Sequence, residues 1–497
     1  MNKIKYFAVV MLTLVMGFAM AACSDDDDEK VAEIFKVDQT EFDLNGEVSI
    51  NSFSVTAKEK PVVAIEIEDK TKDYSWCSVK EVGSEGNVYN YEFSVSDNDD
   101  EYSRSLLIKV TSGTNMKEVS VNQNPKAVVV PEGSMNHTAT ELASLMYAGI
   151  NIGNTMECPD GEGAWNGFKV NKEYINGLKA AGFNAVRIPC AWASHFSNKK
   201  TYTIDESWLK RVRRVVSWCT QNDMYVVLNA HWDNGWLEDN IGDEDAEDDI
   251  VAEQKAIWTQ VAETFKDFDE HLLFAACNEP GMNESSGNSS FWNDKYAIER
   301  VVEYEQSMID AVRSTGGNNA SRTIIVQGIG TSISDTYDKM NILPVDKVEN
   351  RMMVEVHFYE PYQFALMEKD ESWGKMYYFW GKDNKVAGSD RNTPDASAEA
   401  WVDAQMKKMY DKFSSKGIPV IIGEYSAMFR NIAENQAEHE KSVAYYGEYV
   451  TKVAKNNGCV PFYWETGSVF NRADGTVKKQ AVIDGIMKGA QEGHYPW

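Results

Sequence analysis

Eight short apolar segments in residues 138–497 constrain the fold of this chain more than any other feature of its sequence. Between them lie stretches with apolar residues at helical spacing, as in residues 250–268 and 298–312. Strands that alternate with helices form parallel sheets, and eight such units predict an α/β fold, a (β/α)₈ TIM barrel with long loops. A doubly wound open sheet is the second interpretation, but no glycine-rich phosphate loop follows the first strand. The eight segments are YAGINIG, NAVRIPC, MYVVLNAH, LLFAACN, TIIVQG, MMVEVHF, IPVIIGE and GCVPFYW.

Residues 31–124 have a different pattern, in which apolar and polar residues alternate in short runs such as YNYEFSV and SLLIKVTS. A period of two indicates half-buried antiparallel strands, so this region is predicted to be a small immunoglobulin-like β-sandwich. Through YSWCSV, RSLLIKV and VSVNQN it resembles the BACON module of Bacteroidetes, whose family name implies carbohydrate binding. Trp76 lies in a strand-like pattern and is expected in the core, so a spacer role is an equal alternative. Residues 125–137 contain two prolines and a glycine and are predicted to link the sandwich to a catalytic domain of residues 138–497.

The first 22 residues are predicted to be a signal peptide, because Lys3 and Lys5 precede an apolar run that is short for a membrane span. A membrane anchor helix is the alternative. The sequence MAAC resembles a bacterial lipobox, which implies lipid attachment at Cys23. The acidic run in residues 23–30 is expected to be a disordered tether, similar to the stretch that directs Bacteroidetes lipoproteins to the cell surface. We therefore expect an outer-membrane lipoprotein that is exposed on the cell surface and contacts the membrane only through its lipid. A position that faces the periplasm is the alternative.

Charge and cysteine content exclude several classes of partner. The formal net charge of −28 argues against nucleic acid and against anionic membrane surfaces. Six cysteines follow Cys23, and none forms the C-x-x-C pair that is typical of zinc sites. Most are expected in the core, and one disulfide bridge remains open. We expect no metal, no cofactor and a monomeric protein. The six are Cys77, Cys158, Cys190, Cys219, Cys277 and Cys459.

The ends of the predicted barrel strands carry polar and aromatic side chains. In a (β/α)₈ barrel the carboxyl ends of all strands face one mouth, where catalytic residues lie. Six strands end in such residues here, which packing alone does not explain. Glu279 and Glu424 end the fourth and seventh strands, so we expect them to face each other, an arrangement that suits glycoside hydrolysis. The full set is Arg187, His231, Asn278, Glu279, His357, Tyr359, Glu424 and Trp464.

This ordered set resembles glycoside hydrolase family 5, and GINIGNT and LKAAGFNAVRIP are similar to its endoglucanase branch. The resemblance implies a retaining enzyme without metal, in which Glu279 is the proton donor and base and Glu424 is the nucleophile. It also implies supporting roles for the other six residues. Arg187 and Tyr359 would favour the ionised form of Glu424, and Asn278 would hold the sugar 2-hydroxyl. His231 and His357 would orient the substrate and the carboxylates. Trp464 would form the floor of the cleaved subsite.

Four further tryptophans are candidate sugar platforms, because flat aromatic rings stack on the apolar faces of β-linked sugars. Trp373 and Trp380 lie in DESWGKMYYFWGK after the sixth strand, and Trp232 and Trp236 lie in HWDNGW after the third. By contrast, Trp258 lies on an apolar helix stripe and is expected in the core.

These observations predict an endo-acting β-1,4-glucanase for plant cell-wall glucans, with cellulose-like chains, mixed-linkage glucan and xyloglucan all open as substrates. A β-mannanase would share the catalytic set and is the alternative within the class. A non-catalytic glycan-binding protein is disfavoured because both carboxylates are present. A metallohydrolase built on two histidines and two glutamates is disfavoured because Asn278, Tyr359 and Arg187 would have no use in it.

Overall fold

The structure, a computed structural model, describes residues 34–497. The expected signal peptide, Cys23 and the acidic tether therefore lie outside the described residues. The chain divides into two compact units, with the boundary between Lys126 and Ala127. Within residues 34–497, no helix combines the length and the hydropathy that a membrane crossing requires. The six cysteines of this part of the chain are all buried and unbridged.

The N-terminal unit contains two four-stranded sheets, in the orders β1-β3-β6-β5 and β2-β8-β7-β4. The pairing of β2 with β8 is parallel, and the other neighbours are antiparallel. Alternate residues of the strands fill one apolar core, to which Trp76 belongs, as its strand-like pattern indicated. The guanidinium of Arg104 lies 4.5 Å from the centre of the Trp76 ring. The strands are β1 (Phe35–Val37), β2 (Glu41–Leu44), β3 (Ser49–Ala57), β4 (Val62–Ile65), β5 (Cys77–Glu85), β6 (Val88–Val95), β7 (Arg104–Ser112) and β8 (Asn115–Gln123).

The C-terminal unit is the predicted (β/α)₈ barrel, and the fold prediction is confirmed. Eight strands close into a parallel barrel in the order β10-β13-β14-β15-β16-β17-β18-β9, and a small hairpin, β11-β12, lies after the second barrel strand. The bounds are β9 (Gly149–Asn151), β10 (Ala185–Ile188), β11 (Phe196–Asn198), β12 (Thr203–Ile204), β13 (Tyr225–Asn229), β14 (Leu272–Ala275), β15 (Ile324–Ser332), β16 (Met352–Phe358), β17 (Val420–Tyr425) and β18 (Cys459–Tyr463).

A helix of at least seven residues follows each barrel strand, and its apolar stripe packs on the strands. Trp258 is one such residue, since its ring lies buried 5.3 Å from that of Phe274. The helices are α1 (Ala139–Leu145), α2 (Lys172–Ala180), α3 (Glu206–Gln221), α4 (Glu247–Thr264), α5 (Met282–Ser285), α6 (Lys295–Ser314), α7 (Ile333–Lys339), α8 (Tyr362–Ala365), α9 (Glu399–Lys412), α10 (Gln436–Asn456) and α11 (Gln480–Glu492). Of these, α5 and α8 are single turns in loops after the fourth and sixth barrel strands.

The barrel interior changes from apolar to polar towards the mouth. The lower layer includes Ala185, Val227, Ile325, Met353 and Ile421, and α1 packs against it from below. Because side chains on a strand alternate between two faces, residues two positions further along point into the same interior. At those positions the chain places fully buried polar side chains, which we call the polar layer: Asn151, Arg187, Asn229, Gln327 and Glu355. This layer lies directly beneath the strand ends that the sequence singled out.

The segment expected as a linker is anchored to the barrel over most of its length. The carbonyl of Val129 accepts a hydrogen bond from Gln221. The guanidinium of Arg351 donates to the carbonyls of Met135 and His137. His137 also pairs with Glu270, at 2.6 Å between Nδ1 and Oε1. Residues 129–137 are therefore part of the barrel unit, which corrects the expectation that this domain begins at residue 138.

We expect a chain that begins at Ala127 to keep the full rate on soluble β-glucan, because all the strand-end residues lie after it. A chain that begins at Ala139 lacks the Thr138 cap of α1 and the contacts of Met135 and His137. Loss of the cap alone costs about 1 kcal/mol, which lowers the melting temperature of a domain of this size by about 1–2 °C, and the lost contacts of Met135 and His137 lower it further. Calorimetry and initial rates check both. Equal melting temperatures for the two chains would contradict the anchoring, and a lower rate of the 127–497 chain would show that the sandwich contributes to the site.

Candidate active site

The two predicted catalytic carboxylates come together at the barrel mouth. Glu424 lies on β17, and Glu279 lies in the turn that follows β14. One carboxylate oxygen of each, together with a ring nitrogen of His357, form a group whose atoms all lie within 4.8 Å of one another. The Glu424 side chain is only 7% exposed, whereas that of Glu279 is 23% exposed. The more accessible Glu279 is the better placed of the two to exchange a proton with water.

Arg187 lies at the centre of the polar layer and is completely buried. Its Nη1 donates to Oε1 of Glu424 at 2.9 Å and to the side-chain oxygen of Asn151 at 3.0 Å. Its Nη2 donates to the side-chain oxygen of Asn278 at 2.7 Å, and its Nε lies 2.8 Å from Oε1 of Glu355. Burial opposes its charge, but the carboxylates of Glu355 and Glu424 raise the pKa of Arg187. The guanidinium therefore stays charged and fixes the positions of both Glu424 and Asn278.

His357 lies between the two catalytic carboxylates and a third one beneath them. Its Nδ1 lies 2.7 Å from Oε1 of Glu279 and 3.8 Å from Oε2 of Glu424, and its Nε2 lies 3.3 Å from Oε1 of Glu355. Burial alone would lower its pKa, but the carboxylates of Glu424, Glu279 and Glu355 raise the pKa of His357 to about 10. At neutral pH the ring is an imidazolium, which donates hydrogen bonds from both nitrogens.

Tyr359 completes the surroundings of Glu424. Its hydroxyl donates to Oε2 of Glu424 at 2.8 Å. Burial and the neighbouring Glu424 carboxylate raise the pKa of Tyr359 well above its usual range, so the hydroxyl keeps its proton. Both oxygens of Glu424 thus accept hydrogen bonds, one from Arg187 and one from Tyr359. Such donors favour the ionised form of a carboxylate.

The turn that carries Asn278 and Glu279 is held in place by Glu238. Oε1 of Glu238 accepts from the backbone N–H of Asn278 at 2.9 Å and from that of Glu279 at 2.7 Å, and its carbonyl accepts from Gly281. Burial, followed by the charge of Glu279, raises the pKa of Glu238 to about 8. Sequence reasoning missed this residue, because it lies in the loop after β13 within an acidic stretch that looks like solvated surface.

Trp464 and His231 form the aromatic side of the mouth. Their rings are nearly parallel, at 8° and with centres 6.1 Å apart. Burial lowers the pKa of His231 well below its usual range, and the charges of Arg187 and His357 add to this. His231 is therefore neutral, unlike His357. A Cβ atom at Gly153 would lie 2.9 Å from the Trp464 ring, so the glycine leaves room for this ring.

The four further tryptophans are found in different surroundings. Trp373 is 63% exposed, with its ring centre 6.0 Å from that of Tyr362. Trp232 is half-buried and donates to Asp239, and Trp236 packs against the core with part of its surface exposed. Trp380 is completely buried, so its prediction as a sugar platform is wrong. The physical reason is that rings from α8 and α10 surround it, namely Phe364, Tyr445, Tyr446 and Tyr449.

The polar layer also escaped sequence reasoning. Asn151, Gln327 and Glu355 lie inside the apolar runs GINIG, IIVQG and MMVEVHF. A polar residue within a buried strand needs a partner, and this is the signal that identifies them. Asn151 donates to the carbonyl of Gly423 at 2.8 Å. Gln327 donates to Oε2 of Glu355 at 2.8 Å and accepts from the backbone N–H of Cys277 at 2.9 Å.

The cluster of Glu279, His357 and Glu424 has the residue types of a metal site, but its protonation does not fit one. A metal ligand must offer a lone pair, and a histidine must be neutral to do so. His357 is an imidazolium at neutral pH, so its Nδ1 carries a proton where a metal ion would need a lone pair. The arrangement is suited instead to proton transfer by one carboxylate and nucleophilic attack by the other.

Comparison with known proteins agrees with this geometry. The model of the cellulase family, glycosyl hydrolase family 5, matches residues 149–469, and that of the BACON putative binding domain matches residues 66–124. A xyloglucan-specific endo-β-1,4-glucanase of Bacteroides ovatus is 31% identical over 97% of this chain and 96% of its own length. Endoglucanase A of Paenibacillus barcinonensis is 31% identical over 71% of this chain and 90% of its own length.

Solved structures show the same relationship. A Bacteroides ovatus family 5 xyloglucanase in complex with a XXXG heptasaccharide has a TM-score of 0.65 and 28% identity, and the match covers 92% of this chain and all of that one. A xyloglucan-specific β-1,4-glucanase from a ruminal metagenomic library, in complex with XXLG, has a TM-score of 0.67 and 36% identity, covering 72% of this chain and 98% of that one.

We expect prolonged treatment with a chelator to change neither the melting temperature nor the rate on soluble β-glucan, because the protonated ring of His357 offers no lone pair to a metal ion. Isothermal titration with zinc at neutral pH should show no tight site. Loss of activity that zinc restores would contradict this and favour the metallohydrolase. Treatment with magnesium-saturated chelator is the matched control.

Proposed function

This chain belongs to glycosyl hydrolase family 5 and is an endo-β-1,4-glucanase, and from that premise we propose its mechanism and its substrate. The mechanism is hydrolysis with retention of configuration, with Glu424 as the nucleophile and Glu279 as the general acid and base. The preferred substrate is xyloglucan, whose backbone is a β-1,4-glucan.

In the first step, a carboxylate oxygen of Glu424 attacks the anomeric carbon, and the bond from that carbon to the glycosidic oxygen breaks. The proton of Glu279 passes to the departing oxygen, so the leaving chain is released as an alcohol. The products of this step are a glycosyl ester on Glu424 and an ionised Glu279.

In the second step, Glu279 takes a proton from water, and the resulting oxygen attacks the anomeric carbon from the face that the leaving group vacated. The ester bond to Glu424 breaks, which restores both carboxyl groups to their starting states. Two inversions at one carbon give net retention.

The observation that carries this proposal is the separation of the two carboxyl groups. Retaining glycosidases hold them about 5–5.5 Å apart, and inverting ones about 6.5–9.5 Å apart to admit a water molecule. One carboxylate oxygen of Glu279 lies within 4.8 Å of one of Glu424, a closest approach that is compatible with the shorter, retaining separation. The spacing supports direct attack by Glu424 rather than attack by a water molecule between the two groups.

The substrate proposal is supported by the relatives. One relative and two solved structures, which match this chain over 72–97% of its length, are named as xyloglucan-specific or as xyloglucanases. Other matches of similar coverage are named as endoglucanases or as broad-specificity endoglucanases. Trp464 supplies a flat ring at the barrel mouth, on which the apolar face of a backbone glucosyl unit can stack. The exposed ring of Trp373 is a second candidate surface on which a sugar unit can stack.

We expect Glu279→Ala and Glu424→Ala each to lower turnover by at least about 10³-fold without loss of folding, because each removes one half of the double displacement. With an aryl β-cellobioside and azide, Glu424→Ala should form the α-glycosyl azide, since azide occupies the emptied side. Glu279→Ala should form the β-glycosyl azide, since azide intercepts the ester.

Proton NMR distinguishes these products, and it also reads the first anomer released by the intact enzyme, which should be β. Initial release of the α-anomer would mean inversion and would remove the nucleophile role of Glu424. Near-normal turnover of either alanine variant would refute its assignment directly.

We also expect the highest kcat/KM on tamarind xyloglucan within a panel that contains barley mixed-linkage glucan, carboxymethylcellulose and glucomannan. Initial rates from reducing ends and product masses give the comparison. A higher kcat/KM on mixed-linkage glucan would contradict the xyloglucan proposal and indicate a preference for unbranched glucans. Activity confined to glucomannan would favour the mannanase.

A further inference from the structure

Glu355 is a buried carboxylate that the two-step mechanism does not use. It lies in the interior of β16, two residues before His357, and its side chain is completely buried. Its Oε1 lies 2.8 Å from Nε of Arg187 and 3.3 Å from Nε2 of His357, and its Oε2 accepts from Gln327 at 2.8 Å. It thus contacts both cations that flank the catalytic pair, without contacting either catalytic carboxylate.

The fold makes room for this carboxylate. A Cβ atom at Gly423, on the neighbouring strand β17, would lie 1.8 Å from Oε1 of Glu355. Any larger residue at position 423 would therefore displace the carboxylate or the strand. Burial opposes ionisation, but Arg187, followed by the hydrogen bond from His357, lowers the pKa of Glu355, so it is a carboxylate at neutral pH.

The charges of this cluster balance only in one protonation state of the catalytic pair. The two cations are Arg187 and the His357 imidazolium, and Glu355 supplies one negative charge. A buried cluster is most favourable when its net charge is close to zero. A net charge of zero therefore leaves room for one negative charge on the catalytic pair, which is the charge that the proposed mechanism requires.

We propose that Glu355 is a positioning residue that supplies the fixed counter-charge of the active site and thereby keeps one proton on the catalytic pair throughout turnover. The proposal rests on the proposed mechanism. Before the first step Glu424 is ionised and Glu279 carries the proton. In the glycosyl-enzyme Glu424 is a neutral ester and Glu279 is ionised. The net charge of the cluster is zero in both states, so the proton leaves Glu279 as the negative charge of Glu424 is consumed.

Other groups that face the cluster do not replace this charge. Glu238 accepts hydrogen bonds from the backbone of Asn278 and Glu279, and burial, the largest cause, raises its pKa and so disfavours its charge. Tyr359 keeps its proton, and His231 is neutral. The buried thiol of Cys277, whose pKa burial raises well above its usual range, is neutral as well. Glu157 interacts with the charge of Glu424, and burial raises its pKa to about 7, so it is only partly ionised at neutral pH. Glu355, whose pKa is lowered, is thus the group of this set that carries a lasting negative charge outside the catalytic pair.

The test compares two substitutions at this position. Glu355→Gln keeps the shape and removes the charge, whereas Glu355→Asp keeps the charge and shortens the side chain. The matched control is Glu305→Gln, because Glu305 is equally buried on α6 and accepts from the backbone of Gln327. Burial raises the pKa of Glu305 well above its usual range, which favours its uncharged form, so this control tests the loss of a buried carboxyl group that is not a fixed counter-charge.

Loss of a negative charge destabilises the protonated groups next to it, so their protons leave at lower pH. In Glu355→Gln we expect the basic limb of the pH profile of kcat/KM, measured on the best soluble glucan of the panel, to move down by about 1–3 pH units. The apparent pKa of this basic limb is a property of the hydrogen-bonded pair of Glu279 and His357 and is not assigned to either residue alone. Glu355→Asp should keep the position of the limb while kcat falls, and Glu305→Gln should keep both.

An unmoved basic limb in a folded Glu355→Gln variant would overturn the proposal, and so would the same downward shift in Glu355→Asp. If Glu355→Gln does not fold, nitrogen-15 NMR of the intact enzyme decides. The His357 resonance, assigned through its loss in His357→Gln, should remain that of an imidazolium above pH 8, and a neutral ring at pH 7 would overturn the proposal. The anomer of the first product is independent of Glu355, so failure of the retaining mechanism is seen separately.

Discussion

The guanidinium of Arg187 is the group around which the rest of the site is organised. It joins four barrel strands and the turn after a fifth, because it contacts Asn151, Asn278, Glu355 and Glu424 from its own strand β10. A buried charge of this kind is tolerated only when carboxylates and hydrogen-bond acceptors surround it. The stabilisation is mutual, because the buried carboxylates of Glu355 and Glu424 would be unstable without the guanidinium of Arg187. The contacts that hold the nucleophile in place therefore also stabilise the barrel interior.

This dependence explains why the interior is layered. The apolar layer beneath, closed by α1, supplies the stability of the barrel, while the polar layer supplies a rigid set of donors for the mouth. Residues of the polar layer such as Gln327 satisfy one another and leave the carboxylates little freedom to move. Removing one partner from such a network strands another buried polar group, which costs about 1–3 kcal/mol or more for a charge. Substitutions in this layer should therefore affect stability and catalysis together.

The sequence predicted the fold and the residues at the mouth, but it did not predict what lies beneath them. Strand ends are recognisable because a polar residue follows an apolar run, as Glu279 follows LLFAAC. Glu355 and Asn151 were overlooked because a single polar residue inside an apolar run gives no indication of its role until its partners on other strands are known. Glu238 was hidden in an acidic loop. Trp380 was misjudged because exposure in a long loop depends on how that loop folds, and α8 and α10 fold over it.

The separation between the charged barrel interior and the aromatic loops limits which substitutions this enzyme can tolerate. The groups that carry charge and protons are fixed by strands whose side chains fill the barrel, so almost any change there disturbs several partners at once. The aromatic rings farther out, such as Trp373, lie on loops and make few buried contacts. We expect a loop substitution that adds or removes a ring to alter which glucan binds and to leave the charged residues of the barrel interior in place. Substrate preference and the proposed charge balance of Arg187, His357 and Glu355 would then depend on different parts of the barrel.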